Sequence, residues 1–308
     1  MMKKVFYYLI LLSLILVSCS NEEIESTQNV YVKVNPFGVI SPFTYEEVKG
    51  ELETFESKYK LRIRILAYNN KGLLKSQDTQ YVDNYKSLSN SLLTLEEGIY
   101  KIIVVTDVVE FDGSNVKTEY WKMENANNIA TLKLTDSGFV IGQYKILGVG
   151  VEDVTVRKDD NTICDVLPTP TGALCISKWM GLNTWMKNRK YNLEMSKSCD
   201  FIQFNKDGTW NVSEKNGNGE YLWNLDYVDE ERFRTEKFDK NGFYQYFFVL
   251  PMNNVYFRYV FTEENKTEPL YGPTLIDIKN SGEYLFSIDL IDRGSQMQIV
   301  GYIGKLVN

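Results

Sequence analysis

Residues 60–72, KLRIRILAYNNKG, decide the reading of the fold. Leu61, Ile63 and Ile65 alternate with Arg62 and Arg64. An extended chain therefore carries the aliphatic side chains on one face and the guanidinium groups on the other. Asn69-Asn70-Lys71-Gly72 then closes a polar turn on a glycine free to take positive φ, the signature of a hairpin. The same device recurs at Asn205-Lys206-Asp207-Gly208, between Phe201–Phe204 and Thr209–Val212. It recurs again at Asp239-Lys240-Asn241-Gly242, between Phe238 and Phe243–Leu250. A calcium loop would need upstream acidic ligands and a closing glutamate that these turns lack, so they read as hairpin turns.

Amphipathic helices are scarce. Tyr45–Tyr59 is the best candidate, because Tyr45, Val48, Leu52, Phe55 and Tyr59 fall at helical spacing and form one apolar stripe suited to packing on a sheet. Gly50 weakens it by about 1 kcal/mol relative to alanine. Asn183–Tyr191 reads as a helical turn or loop. Short strands and turns fill the rest, the pattern of an all-β chain built from β-sandwiches.

An internal echo organises these strands. Gly98-Ile-Tyr100-Lys-Ile102-Ile-Val104 is matched late in the chain by Gly282-Glu-Tyr284-Leu-Phe286-Ser-Ile288. Each glycine leads into a strand, and each tyrosine faces the same side as the alternate apolar residues after it. A buried tyrosine there is expected to give its hydroxyl to a backbone carbonyl. The echo implies two domains of similar build, 29–155 and 156–308, divided near Asp159-Asp160-Asn161.

The first residues are of another kind. Lys3 and Lys4 precede an apolar run, Val5–Val17, whose thirteen residues span about 20 Å as a helix, too short for a ~30 Å hydrocarbon core. A charged start and a short apolar run read as a secretion signal, residues 1–18. Leu16-Val17-Ser18-Cys19 resembles a bacterial lipobox, which implies that Cys19 becomes the lipidated first residue of the mature chain. A thioether lipid plus an amide-linked acyl chain holds a protein stably to a membrane. Residues 19–28 then form an acidic tether. Ser20, Asn21, Glu22 and Glu23 within it resemble the surface-export tract of Bacteroidota lipoproteins. The expected location is the outer membrane, lipid-anchored and facing the exterior. Ser20–Asn29 reaches at most ~35 Å, so the folded part sits close to the membrane.

Composition removes whole classes of function. Removing residues 1–18 of 308 leaves 290, comfortable for two domains. Aromatics make up 14%, with 21 Tyr and only 7 Pro, which suits β-structure rather than disorder. The net charge of −7 argues against nucleic acid or an anionic membrane face as partners. There is no histidine, so Ser-His-Asp and Cys-His chemistry, His-ligated zinc and a His general base are excluded. A two-carboxylate glycosidase survives that test. Even so, no pair stands out among 41 acidic residues, and no phosphate loop, CxxC or G-x-S-x-G is present. No cofactor or catalytic residue is expected.

Beyond Cys19 the cysteines are Cys164, Cys175 and Cys199, so at most one intramolecular disulfide forms, and spacing does not decide whether Cys164 and Cys175 pair. Trp179, Asn183 and Trp185 form a candidate glycan platform, since sugars stack on aromatic faces beside amides. The competing reading has both tryptophans plugging the interdomain contact. Trp121, Trp210 and Trp223 are expected to pack on sheets.

Together the lipobox, the acidic tract and the Gly-x-Tyr strands resemble the fimbrillin-type surface proteins of Bacteroidota. Pro168-Thr-Pro-Thr-Gly-Ala-Leu-Cys175 resembles that family's lead-in to its second domain. Val249-Leu-Pro-Met-Asn-Asn-Val-Tyr-Phe-Arg-Tyr-Val-Phe261 resembles its later Leu-Pro strand pair. The resemblance implies two tandem transthyretin-like, Greek-key sandwiches and a role as an anchor, accessory or adhesin-like subunit of a surface fibre, with fimbrial subunits as partners. In that family an N-terminal strand is trimmed after an arginine to admit a neighbour's strand. Here the first arginine is Arg62, inside the fold-deciding strand, so arginine-dependent trimming is not expected; Lys33 is an alternative cut. A glycan-binding outer-membrane lipoprotein is the other class the sequence suits.

Overall fold

The structure is a computed structural model that describes residues 27–137, 143–180, 190–225, 243–263, 266–269, 274–293 and 296–306. The turn expected at Asp239–Gly242 lies outside them. The chain is all-β. In order it forms β1 (Gln28–Val34), β2 (Tyr59–Asn69), β3 (Leu74–Val82), β4 (Ser89–Leu95), β5 (Gly98–Asp112), β6 (Asn115–Glu119), β7 (Trp121–Glu124), β8 (Lys133–Asp136), β9 (Gly148–Val156), β10 (Thr162–Val166) and β11 (Thr169–Pro170). Then come β12 (Ala173–Met180), β13 (Lys190–Phe204), β14 (Trp210–Leu225), β15 (Phe243–Val249), β16 (Met252–Glu263), β17 (Lys266–Pro269), β18 (Thr274–Ile278), β19 (Glu283–Arg293) and β20 (Gln296–Leu306).

Four sheets result. A three-stranded sheet runs β10-β1-β4 and faces a larger one, β11-β9-β5-β2-β3, with β6 paired to β5. The later part adds β15-β12-β19-β20 and β17-β16-β13-β8-β7, with β14 on β13 and β18 on β16. Val30, Val32 and Leu93 of the first sheet share one buried core with Leu61, Ile63 and Ile65 of the second. In the later pair, the rings of Phe257 on β16 and Phe286 on β19 meet across the layer with centroids 4.5 Å apart. Strand pairing crosses residues 155 and 156 in both directions. β10 returns to pair with β1, while β8 pairs with β13.

The hairpin turns form as expected. Gly72 and Gly208 adopt φ of +81° and +88°, and each amide N–H donates to the carbonyl of the asparagine three residues back. In the second turn the Asp207 carboxylate accepts from the Thr209 N–H and hydroxyl, so it is spent on the turn itself. At Gly282 the Gly-x-Tyr motif has a steric cause, since a Cβ there would stand 2.7 Å from the Tyr284 ring, while at Gly98 a Cβ would make an ordinary 3.5 Å contact with the Tyr100 ring. In both copies the tyrosine folds back over its glycine. The Tyr284 hydroxyl then donates to the Asp277 carbonyl at 2.7 Å, as expected.

The helix expected over Tyr45–Tyr59 is shorter. α1 spans Glu46–Leu52, with Val48 and Leu52 buried, while Tyr59 belongs to β2 and pairs with Glu110 of β5. Ladder pairing and burial of Tyr59 outweigh its place in the helical stripe. Trp121 packs as expected and is fully buried, its indole N–H donating to the Lys145 carbonyl at 2.9 Å. Cys164, Cys175 and Cys199 are all free thiols. Cys164 sits on β10 and Cys175 on β12, in different sheets.

Candidate functional site

The site is built on β1, the first described strand. Its alternation is visible in the sequence: Val30, Val32 and Val34 point inward and are buried, while Tyr31 and Lys33 point outward. Full burial of a valine stabilises by roughly 1.5–3 kcal/mol, so the three together rival the ~5–15 kcal/mol net stability of a domain. β1 is the middle strand of its sheet. It pairs in parallel with β10 from Val30–Thr162 to Val34–Val166, and antiparallel with β4 from Gln28–Leu95 to Val34–Ser89. Neither of its edges is free.

The parallel register with β10 sets rows across the outer face. Leu92, Tyr31 and Ile163 lie side by side, 52%, 43% and 56% exposed. The next row is Asn90, Lys33 and Asp165, all exposed. Beyond it, the ends of the three strands surround a cavity of about 340 Å³ whose apolar lining is Val34, Leu88, Val166 and Leu167. Leu167 packs against Gly38, where a Cβ would come within 2.7 Å of its Cδ1. The period-two pattern of residues 30–34 was the signal for this face. Its partners on β10, more than 120 residues later, carried none.

Arg62 and Arg64 occupy the second face of β2, and that face is buried too. Arg62 makes a two-pronged contact with Asp107 on β5, Nε to Oδ1 at 3.0 Å and Nη2 to Oδ2 at 2.7 Å. It also donates to Glu119 at 2.6 Å and to the Trp121 carbonyl at 3.0 Å. Burial opposes the charge on Arg62, yet hydrogen bonding and attraction from Asp107, with Glu119 adding, hold its pKa above the ordinary value. Arg64 makes an ionic contact to Asp107 at 3.3 Å; burial lowers its pKa. The segment carrying Glu119, Trp121 and Ala126 covers these side chains, the Tyr68 hydroxyl reaching the Ala126 carbonyl at 2.8 Å. β2 is therefore covered on both faces, its charged face by a paired carboxylate.

Cys19, Ser20, Asn21, Glu22 and Glu23 lie outside the described residues, as do Asn183 and Trp185. Trp179 lies in a regular strand. In β12 it stands opposite Phe243 of β15 and Ile288 of β19. β12 is an interior strand, paired with β15 through Trp179 and with β19 through Met180. Among the described residues no cluster of Cys, Asp or Glu side chains is arranged to hold a metal ion.

No family model matches the chain, and no curated protein matches it either. Solved structures do. The chain is similar to a candidate polysaccharide-binding protein (DUF1812) of Bacteroides thetaiotaomicron, with a TM-score of 0.50 and 12% identity over 91% of this chain and 98% of that one. The fimbrial anchor protein Mfa2 of Porphyromonas gingivalis aligns with a TM-score of 0.49 and 12% identity, covering 91% of this chain and 99% of its own. A candidate adhesin of Bacteroides ovatus aligns with 0.49 and 10%, covering 94% and 97%. In its fold, over nearly its whole length, this chain is similar to the first of these Bacteroidota proteins, in line with the resemblance read from its sequence.

Proposed function

We propose that this protein is a non-catalytic cell-surface lipoprotein, a fimbrial anchor, accessory or adhesin-like subunit that assembles by β-strand pairing and keeps its own first strand. One observation carries the reading. β1 is locked in the middle of its sheet, and no arginine precedes Arg62, which is buried and ion-paired in interior strand β2. An arginine-directed cut that freed β1 would have to break the second strand of the same sandwich. A protein that cannot shed this strand suits the base or a fixed position of a fibre better than its repeating stalk. The lipid on Cys19 would tie it to the outer membrane, and the acidic tract after it would direct it to the exterior.

Mild, unboiled envelope extracts separated on a denaturing gel and blotted for this protein test the reading. A high-molecular-weight ladder that collapses on boiling is expected. A single band at monomer size contradicts membership of a strand-paired fibre.

A second reading, glycan binding at the cell surface, is favoured by the outer face of β1. There an exposed row of one tyrosine between two aliphatic residues lies beside a row of amide, ammonium and carboxylate groups. A protein of similar fold carries a polysaccharide-binding description.

A further inference from the structure

We infer that the outer face of the β10-β1-β4 sheet is a binding site for a neutral saccharide. Tyr31 and its flanking aliphatic residues form the platform, and Asn90, Lys33 and Asp165 receive the hydroxyls. The inference rests on the second reading above and gives it a location other than Trp179–Trp185.

Four observations converge on this face. Exposed aliphatic residues occur singly on most proteins and need no explanation, but a contiguous row of them does. Leu92, Tyr31 and Ile163 form such a row at three successive strands. Second, the adjoining row offers an amide, an ammonium and a carboxylate in line. Among the described residues neither Lys33 nor Asp165 has a salt-bridge partner, although they are neighbours across the parallel pair. Their hydrogen-bonding capacity is directed to whatever lies on the face. Third, the cavity at the end of these rows, about 340 Å³, lies within the size range of small-ligand sites. Fourth, Leu167 is seated against Gly38, whose Cβ would meet both Leu167 and the Pro168 carbonyl oxygen at 2.5 Å, so that wall is built into the fold.

The chemistry selects the ligand. One ammonium and one carboxylate cancel, so neither an anion nor a cation is favoured. A partner strand is disfavoured because β1 has ladder partners on both edges. A molecule with many hydroxyls around its rim and apolar C–H faces matches one aromatic ring with aliphatic flanks beside a donor and acceptor row. A saccharide ring has that form.

Calorimetric titration of the full lipidated chain, held in a non-glycosidic detergent, with a fixed panel of neutral gluco-, manno- and galacto-hexasaccharides tests the inference. At least one should bind. Tyr31→Ala should weaken it on the order of tenfold. Asp165→Asn and Lys33→Met should weaken it too, and Tyr31→Phe should retain it. Trp179→Ala should leave it unchanged. The substitutions at Tyr31, Lys33 and Asp165 are on an exposed face, and an unchanged melting temperature separates lost binding from lost fold. Binding that survives Tyr31→Ala and Asp165→Asn overturns the site while leaving glycan binding standing. No binding by any member of the panel at millimolar concentration overturns both.

Discussion

Both carboxylate oxygens of Glu283 accept from the Thr44 amide, at 3.2 and 3.0 Å, although the two residues are 239 positions apart. The Thr44 hydroxyl donates to the same carboxylate at 3.1 Å, and the Tyr45 amide at 2.9 Å. Glu283 is buried and opens β19, next to the Gly282 of the Gly-x-Tyr echo. One carboxylate thus ties the chain just before α1 to the sheet formed by β12, β15, β19 and β20.

Glu283→Ala removes every one of these acceptors. Charge-assisted hydrogen bonds contribute about 1.5–3 kcal/mol, and part of that returns as water reaches Thr44. Urea denaturation should show a loss of roughly 2 kcal/mol, and Glu283→Gln, which keeps one acceptor, a smaller one. Stability within about 0.5 kcal/mol of the parent for Glu283→Ala would show that the contact does not tie the two parts together.

Two carboxylates bind Arg62, and their removal should differ. Asp107 is fully buried and serves both Arg62 and Arg64, whereas Glu119 is 44% exposed. Asp107→Ala leaves two buried guanidinium groups without their main partner, a loss of about 3–5 kcal/mol. Glu119→Ala should lose less than about 1 kcal/mol, because water replaces it. Equal losses in thermal or chemical denaturation would contradict the burial that separates them.

Arginine-specific protease acting on the native protein should yield no fragment beginning at Ile63 or Ile65. Each scissile bond lies in an interior strand paired on both edges, from Leu61–Val82 on one side to Arg62–Asp107 on the other. Mass spectrometry of a timed digest checks this. Early appearance of a fragment starting at Ile63 would reopen the route by which β1 could be released.

The thiols should be silent near neutral pH. Burial raises the Cys164 thiol from 9.0 to about 11 and the Cys199 thiol to about 12, and pushes Cys175 higher still. A thiol reagent at pH 8 should label none of the three until the chain is unfolded. A folded pKa above the unfolded one contributes stability that is complete below pH 9 and lost as pH rises through 11–12. The melting temperature should therefore decline above pH 9, with buried Tyr68 and Tyr85, also raised by burial, adding to the fall. Rapid native labelling at pH 8 or a flat alkaline profile would contradict this.

Local structure was legible from local signals. The alternation of β2, the turns closed by Gly72 and Gly208 and the Gly-x-Tyr pairs each depend on residues within a few positions, and each forms. Long-range pairing was not legible. Nothing in Asn29–Val34 indicates that its parallel partner is Thr162–Val166, and nothing in Lys133–Asp136 indicates pairing with Phe201–Gln203. Ile-Arg alternation at 63–64 looks the same whether the arginine face meets water or a buried aspartate 43 residues on. Of the site, the inward and outward faces of β1 could be read, but not the row that Lys33 makes with Asn90 and Asp165.

The most direct test of a lipid-held subunit that keeps its first strand is the intact mass of the mature protein from envelopes of its native cell. The expected species begins at Cys19, carries acyl chains and contains Gln28–Val34. A mature chain beginning beyond Val34 would contradict it.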